Sequence, residues 1–394
     1  MTESQPGRTS PLHAVLFVIA LLLFGCSLLV VVSAPTASLW IISILVAEWG
    51  HFFALAALLV GGLSWRRNRL GLGTALLALM SAILFLSPAL RADLIARSLP
   101  DRCTDAFGPG NGSGRPTPFR IRELFQRFPD AEVNVSEHVY ATDGKKELKL
   151  DLYRSQRGGD SPPIILILHG GSWSGGSKEQ LPAINRYLAR EGFAVAVINY
   201  RHAPKWPFPA ALDDVFRAIE FLKAHAVGLQ VDATRLVLIG RSAGGQLALS
   251  AAFAGREPAI RGVISFYGPA DLVLGYEKPS RRWVLDSKRV LEDYLGGSPS
   301  EKPAEYAAGS AINFVNAATP PTLLIHGQLD PIVWPEQSER LDAALSAVAR
   351  PHLYLSLPWA THGCDANLHG PSGQLSLYAI DRFLAAVLRQ NGEG

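Results

Sequence analysis

The chain has 394 residues, too many for one small domain and too few for three ordinary ones. Its hydrophobic share of 48% excludes disorder, and 37 basic against 34 acidic residues give no case for a nucleic-acid binder. Charged residues make up only 18% and the mean hydropathy is +0.16, apolar enough to put part of the chain in lipid.

The apolar excess is concentrated at the start, where residues 1–90 carry four Arg, no Lys and two acids. Three runs, Leu12–Val32, Leu39–Leu63 and Leu70–Leu90, each meet the length of about 20 residues that a helix needs to cross a bilayer. They predict a three-helix, multi-pass membrane segment. The first run is too long for a signal-peptide core and is followed by Pro35, so it is expected to be retained. Arg66, Arg67 and Arg69 in the second connection, with Arg8, predict a cytoplasmic amino terminus and an extracytoplasmic face for everything after Leu90. Arg91, Arg97 and Arg102 oppose that orientation. Glu48 and His51 share a helical face in the second run, either as a self-satisfying pair or as a functional one.

Residues 91–118, rich in Gly and Pro towards their end, predict a flexible linker. Ile121–Phe128 is amphipathic. Alternation over Glu132–Ala141 and Glu147–Tyr153, around Asp143-Gly144, predicts a hairpin. Solid apolar runs then follow at Pro163–Leu168, Phe193–Ile198, Leu236–Ile239, Gly262–Phe266 and Thr322–Ile325. Helical stretches separate them, at about Lys178–Arg190, Pro209–Ala224, Gly244–Ala254, Glu336–Ala349 and Gln374–Leu388. This alternation predicts an α/β domain over 119–394 with a mostly parallel, doubly wound sheet. Residues 272–314 interrupt the rhythm as a lid-like insertion.

Gly240-Arg241-Ser242-Ala243-Gly244 lies between the strand RLVLI and a helical run, the context in which G-x-S-x-G exposes a nucleophilic serine. His169-Gly170-Gly171-Ser172-Trp173 follows the PIILIL strand. Backbone N–H groups of Gly170, Gly171 or Ser172, with that of Ala243, are the candidate oxyanion hole, and His169 is expected to anchor the loop. A serine needs a base, and the base needs an orienting carboxylate. Asp330 and His362, each just past a predicted strand, are the candidates, with Asp365, His326 and Asp271 as competitors. Asp213 and Asp214 are expected to start a helix.

From about residue 130 to 390 the chain resembles the α/β-hydrolase superfamily, in particular the hormone-sensitive-lipase-like and kynurenine-formamidase-like (BD-FAE-like) esterases. HGGSW resembles their oxyanion motif, GRSAGG their elbow, and Asn199-Tyr200-Arg201 with Ala203-Pro204 their NYR-x-AP segment. FYGPADL at 266–272 is also similar. Ser172 replaces the usual third glycine, and His202 stands where an apolar residue is common. The membrane segment lies outside the family pattern, though plant isoprenylcysteine methylesterases are similar in joining such helices to this domain.

The expectation is a membrane-anchored hydrolase that cleaves carboxylic esters, small or lipid, through an acyl-serine. An amidase, peptidase or acyltransferase would use the same triad. A non-catalytic receptor would lack a member, and none is missing. No metal or organic cofactor is expected, since Cys26, Cys103 and Cys364 fit neither a disulfide scaffold nor a zinc spacing. Membrane lipid is the expected partner, and the sequence leaves the oligomeric state open. Every catalytic block lies after residue 168, so the domain is expected to work without residues 1–90.

Overall fold

The computed structural model describes residues 11–65, 69–109, 114–126, 133–155 and 161–388. Arg8, Arg66, Arg67, Phe128 and Glu132 lie outside them. The amino-terminal part consists of α1 (Pro11–Ser27), continued by one 3₁₀ turn to Val30, then α2 (Ala37–Glu48), α3 (Gly50–Ser64) and α4 (Arg69–Phe107). Two of these stretches, Pro11–Val30 and Arg69–Phe107, are long and apolar enough to cross a membrane.

Two expectations need correction here. The second apolar run is not one helix, because α2 and α3 meet at an angle of 88° around Trp49. α3 packs in the bundle with α1 and α4, while α2, turned from it, touches all three and also the carboxy-terminal helix of the α/β domain. Nor are residues 91–118 a flexible linker, since α4 runs unbroken through Pro88 and Pro100 to Phe107. Ala92, Leu99 and Cys103 of α4 are buried in the same core as Phe383 and Leu384 of the carboxy-terminal helix. That burial continues the helix past its apolar stretch, and the amino-terminal helices are thereby fixed to the domain.

The hairpin β1 (Val133–Asp143) and β2 (Lys146–Ser155) opens the domain. The chain continues through β3 (Pro163–Leu168), α5 (Ala183–Arg190), β4 (Ala194–Ile198), α6 (Ala210–Ala224), the short α7 (Ala226–Leu229), β5 (Asp232–Arg241), α8 (Ala243–Phe253) and β6 (Ile260–Phe266). The insertion contributes α9 (Leu272–Glu277), α10 (Ser287–Leu295) and α11 (Pro303–Gly309). The last elements are β7 (Thr322–Gly327), α12 (Glu336–Ala347), β8 (His352–Leu357) and α13 (Pro371–Val387).

The eight strands form one sheet in the order β1-β2-β4-β3-β5-β6-β7-β8, parallel from β4 to β8. The central strands are apolar throughout because both faces are covered. Ile164, Leu166 and Leu168 pack under α6, α8 and α12, whereas Ile165 and Ile167 pack under α5, α13 and α4. This is the α/β-hydrolase architecture that the alternating pattern predicts, and it carries the catalytic candidates to the carboxyl ends of β3, β5, β7 and β8.

Candidate active site

The turn from β5 into α8 is tight enough that side chains are excluded around it. A Cβ on Gly244 would collide with the Leu168 and His169 carbonyl groups. Ser242 sits at the top of this turn with φ 53° and ψ −120°, a conformation costly for a residue with a Cβ. It is half-buried, with neighbours on both sides fully buried. The packing of α8 against β3 and β6 holds this strain in place.

Asp330 and His362 are brought together by the loops after β7 and β8, with His362 Nδ1 2.6 Å from Asp330 Oδ2. The other carboxylate oxygen of Asp330 accepts the N–H groups of Ile332 at 2.8 Å and Val333 at 2.9 Å. Burial alone would raise the Asp330 pKa. The field of His362 and the hydrogen bonds from His326 and His362 outweigh it, lowering the pKa to about 2.

The competitors have other partners. His326 is fully buried between Ser338 Oγ at 2.7 Å, the Val333 carbonyl at 2.9 Å and Asp330 at 3.2 Å. Asp365 is bonded to Arg241 Nε and to the Tyr267 hydroxyl, in a buried network directly behind the serine turn. The Tyr267 ring lies 4.3 Å from that of His362. Asp271 caps α9 by accepting the Leu274 N–H. Asp213 lies in the first turn of α6, as expected of a helix start, and Asp214 beside it is buried and paired with Arg201, which ties the NYR segment to that helix.

In the loop after β3, residues 171–173 have φ values of 125°, 55° and 55°. Gly170 needs correcting as a candidate donor, because its N–H is given to Gln180 Oε1 at 2.8 Å. Gly171, Ser172 and Ala243 remain. His169 is buried, stacked on Tyr200 at 4.2 Å and bonded through Nδ1 to the Gly170 carbonyl. Burial pushes its pKa down to about 4, which keeps it neutral and structural.

A cavity opens above the turn, lined by Ser172, Trp173, Ser242 and Ala243. Its far wall is aliphatic, with Leu272, Leu274, Leu285, Val290 and Leu291 of the insertion facing Ile332, Val333 and Trp334. The insertion therefore borders the pocket, but its aromatic residues do not line it. Tyr294 stacks on Trp173 at 4.3 Å behind the wall, Tyr306 is buried, and Trp283 is 81% exposed. The Leu and Val positions stand between the aromatics without a regular spacing that would single them out in the sequence. Among the described residues no cluster of His, Cys, Asp or Glu could hold a metal ion.

Comparison with known proteins agrees with this geometry. Residues 150–345 match the BD-FAE family model. The chain is 27% identical over 312 residues to the probable carboxylic ester hydrolase LipM of Mycobacterium tuberculosis, covering 73% of this chain and 70% of LipM. It is 29% identical over 259 residues to esterase LipC of the same organism, covering 62% of this chain and 63% of LipC. A bacterial heroin esterase superposes with a TM-score of 0.57 at 25% identity, over 66% of this chain and 85% of that one. The Est2 esterase of Thermogutta terrifontis gives 0.52 at 25%, over 67% and 96%.

Proposed function

Because the chain belongs to the BD-FAE family of α/β-hydrolases, we propose that it is a carboxylic-ester hydrolase using Ser242 as nucleophile and held in a membrane by its amino-terminal helices. Ser242 Oγ attacks the ester carbonyl carbon while His362 Nε2 takes its proton. Asp330 accepts from His362 Nδ1–H, which fixes the ring and stabilises its charged form. The N–H groups of Gly171, Ser172 and Ala243 receive the developing oxyanion. Collapse expels the alcohol with the proton from His362 and leaves an acyl-serine. Water, deprotonated by the same histidine, then releases the carboxylic acid.

The observation that carries this reading is the short Asp330–His362 contact, with the His362 ring against Tyr267 next to the residue that accepts the Ser242 N–H, and a serine held in strained geometry at the mouth of an apolar cavity. The aliphatic wall suits the acyl chain of an ester. In the membrane, α1 and α4 are the crossings of full length, and a third crossing through the 15-residue α3, with the Arg-rich connection before α4, would put the hydrolase domain on the extracytoplasmic side.

A fluorophosphonate probe tests the nucleophile. Wild-type protein should be labelled on Ser242 and should hydrolyse p-nitrophenyl esters. Ser242→Ala should lose labelling and fall to the residual rate of roughly 10³–10⁴-fold over water that the remaining groups supply. Retention of more than about a tenth of wild-type kcat would sink the assignment.

A further inference from the structure

Helix α2 bridges the membrane bundle and the loop between β8 and α13, the loop that carries His362 and Asp365. Trp40 Nε1–H donates to the His362 carbonyl oxygen at 2.8 Å, and the two rings meet edge-on with centroids 6.1 Å apart. One turn on, Ile44 packs against Gly363. At the end of α2, the Glu48 carbonyl accepts from Asn367 Nδ2 at 3.1 Å. The Glu48 carboxylate is fully buried and accepts the Ser372 N–H at 3.2 Å.

The last contact supplies what α13 lacks. Its N-cap position is Gly370, which has no side-chain oxygen to offer the free N–H groups of the first turn. A Cβ at that position would collide with Glu48 Oε2. Glu48 therefore brings an acceptor oxygen to the first turn of a helix more than 300 residues later in the chain. The histidine loop is held from the core by Asp365 through Arg241 and Tyr267, and from the membrane side by Trp40 and Glu48.

We infer that α2 is part of the catalytic apparatus, with Trp40 and Glu48 as positioning residues that fix the backbone from which His362 reaches Ser242. The break at Trp49 turns α2 by 88° onto this loop, at the expense of a continuous second span. The inference rests on the Ser242–His362 reading above. It places the effect in the proton-transfer geometry, where a displacement of about 1 Å can cost 10²-fold in rate. Substrate binding is unaffected, because no α2 residue lines the cavity.

The test uses full-length protein in detergent, comparing wild type with Trp40→Phe, Glu48→Ala and Glu48→Gln. The readouts are kcat and KM on p-nitrophenyl butyrate, the fluorophosphonate labelling rate and Tm. Trp40→Phe keeps a ring but loses the N–H donor. It and Glu48→Ala should each lower kcat about ten- to a hundredfold, with KM within about twofold and labelling slowed in parallel. Glu48→Gln keeps an oxygen for Ser372 N–H and should recover most of the loss. Unchanged kcat and labelling in folded Trp40→Phe, or a loss confined to Tm, would overturn the inference. Trp40→Phe decides the matter if Glu48→Ala does not fold. Absence of labelling in wild type, with Ser242→Ala still active, would instead defeat the serine reading itself.

Discussion

Asp330 and His362 meet at 2.6 Å, whereas Asp365, only three residues beyond the same histidine, is turned away from Asp330 and held by Arg241 and Tyr267. Two nearby carboxylates thus have separate duties. Asp330→Asn should lower kcat by roughly 10⁴-fold with little change in Tm, because the amide cannot hold the required tautomer. Asp365→Asn leaves the buried Arg241 guanidinium without its counter-charge, at a cost of about 3–5 kcal/mol. Its main effect should be a fall in Tm. Kinetics and thermal melts on both variants would separate them, and a reversed pattern would mean that Asp365 is the acid.

Acid stability follows from three buried groups. His169 titrates at about 4 when folded and 6.5 when exposed, so the unfolded chain binds the extra proton and stability falls as pH drops through that interval. The shift is on the order of 3 kcal/mol. Burial raises Asp381 to about 6, so there the native state holds the extra proton and stability rises as pH falls from 6 towards 3.8. Asp330, depressed to about 2, withdraws its contribution only below 3.8. The His169 and Asp381 slopes oppose each other between pH 6 and 4, and below 3.8 Asp330 adds a further loss. Relative to the wild type, Asp381→Asn should therefore lose stability progressively as pH falls from 6 towards 3.8, read as the difference in Tm at each pH. A difference that stays constant over that window would show that Asp381 titrates normally.

The strands and the active-site candidates were readable because local patterns specify them. Central strands buried on both faces are apolar without alternation, and Ser242, Asp330 and His362 each stand just past such a run. The fate of α2 was not readable in this way. Its partners, His362, Asn367 and Ser372, lie more than 300 residues away, and a run of apolar residues looks the same in lipid and on a domain surface. Residues 91–107 did carry a signal. Ala92, Leu99 and Cys103, spaced seven and four apart, form one buried helical face among arginines and aspartates. Glycines and prolines further on concealed it.

Pocket shape should respond to the aliphatic wall and not to the aromatics of the insertion. Leu285→Trp fills space in the cavity and should shift preference towards short p-nitrophenyl esters. Trp283→Ala, at an exposed position, should leave chain-length preference unchanged. Tyr306→Ala should cost about 3–5 kcal/mol of stability with the same preference order, since it empties a buried site away from the substrate. Activity across a series of acyl lengths, with melts on each variant, checks all three. Loss of discrimination in Tyr306→Ala alone would move the pocket wall.

Removal of residues 1–90 should not yield an active soluble enzyme, contrary to what the polar stretch after α4 suggested. It strips α2 from the histidine loop and exposes the surface that α2 covers, although residues 91–107 of α4 stay with the domain. The truncated chain should aggregate, or remain soluble with kcat reduced as in Trp40→Phe. Full kcat in a monodisperse truncated protein would show that the domain is complete without its helices.

Orientation is the final test. Leu29 and Val30 at the end of α1 pack with Ala54 and Ala57 near the start of α3 and with Ala82 and Phe85 of α4. These positions share one level, from which α4 continues into the α/β domain. The turn joining α3 to α4, with Arg69 at its end, lies at the opposite end of the bundle. Arg66 and Arg67 belong to the same connection in sequence. Positive loops stay in the cytoplasm, which sends the hydrolase domain outward. Arg102 weighs against this less than its position suggests, because its guanidinium is folded onto the domain and donates to the Tyr354 carbonyl at 2.7 Å. The protein should stay in the membrane fraction through a high-salt wash, since burial in lipid is indifferent to screening. Protease added to intact spheroplasts should cleave the hydrolase domain. Complete protection until lysis would place the active site in the cytoplasm, overturning the orientation while leaving the chemistry of Ser242 untouched.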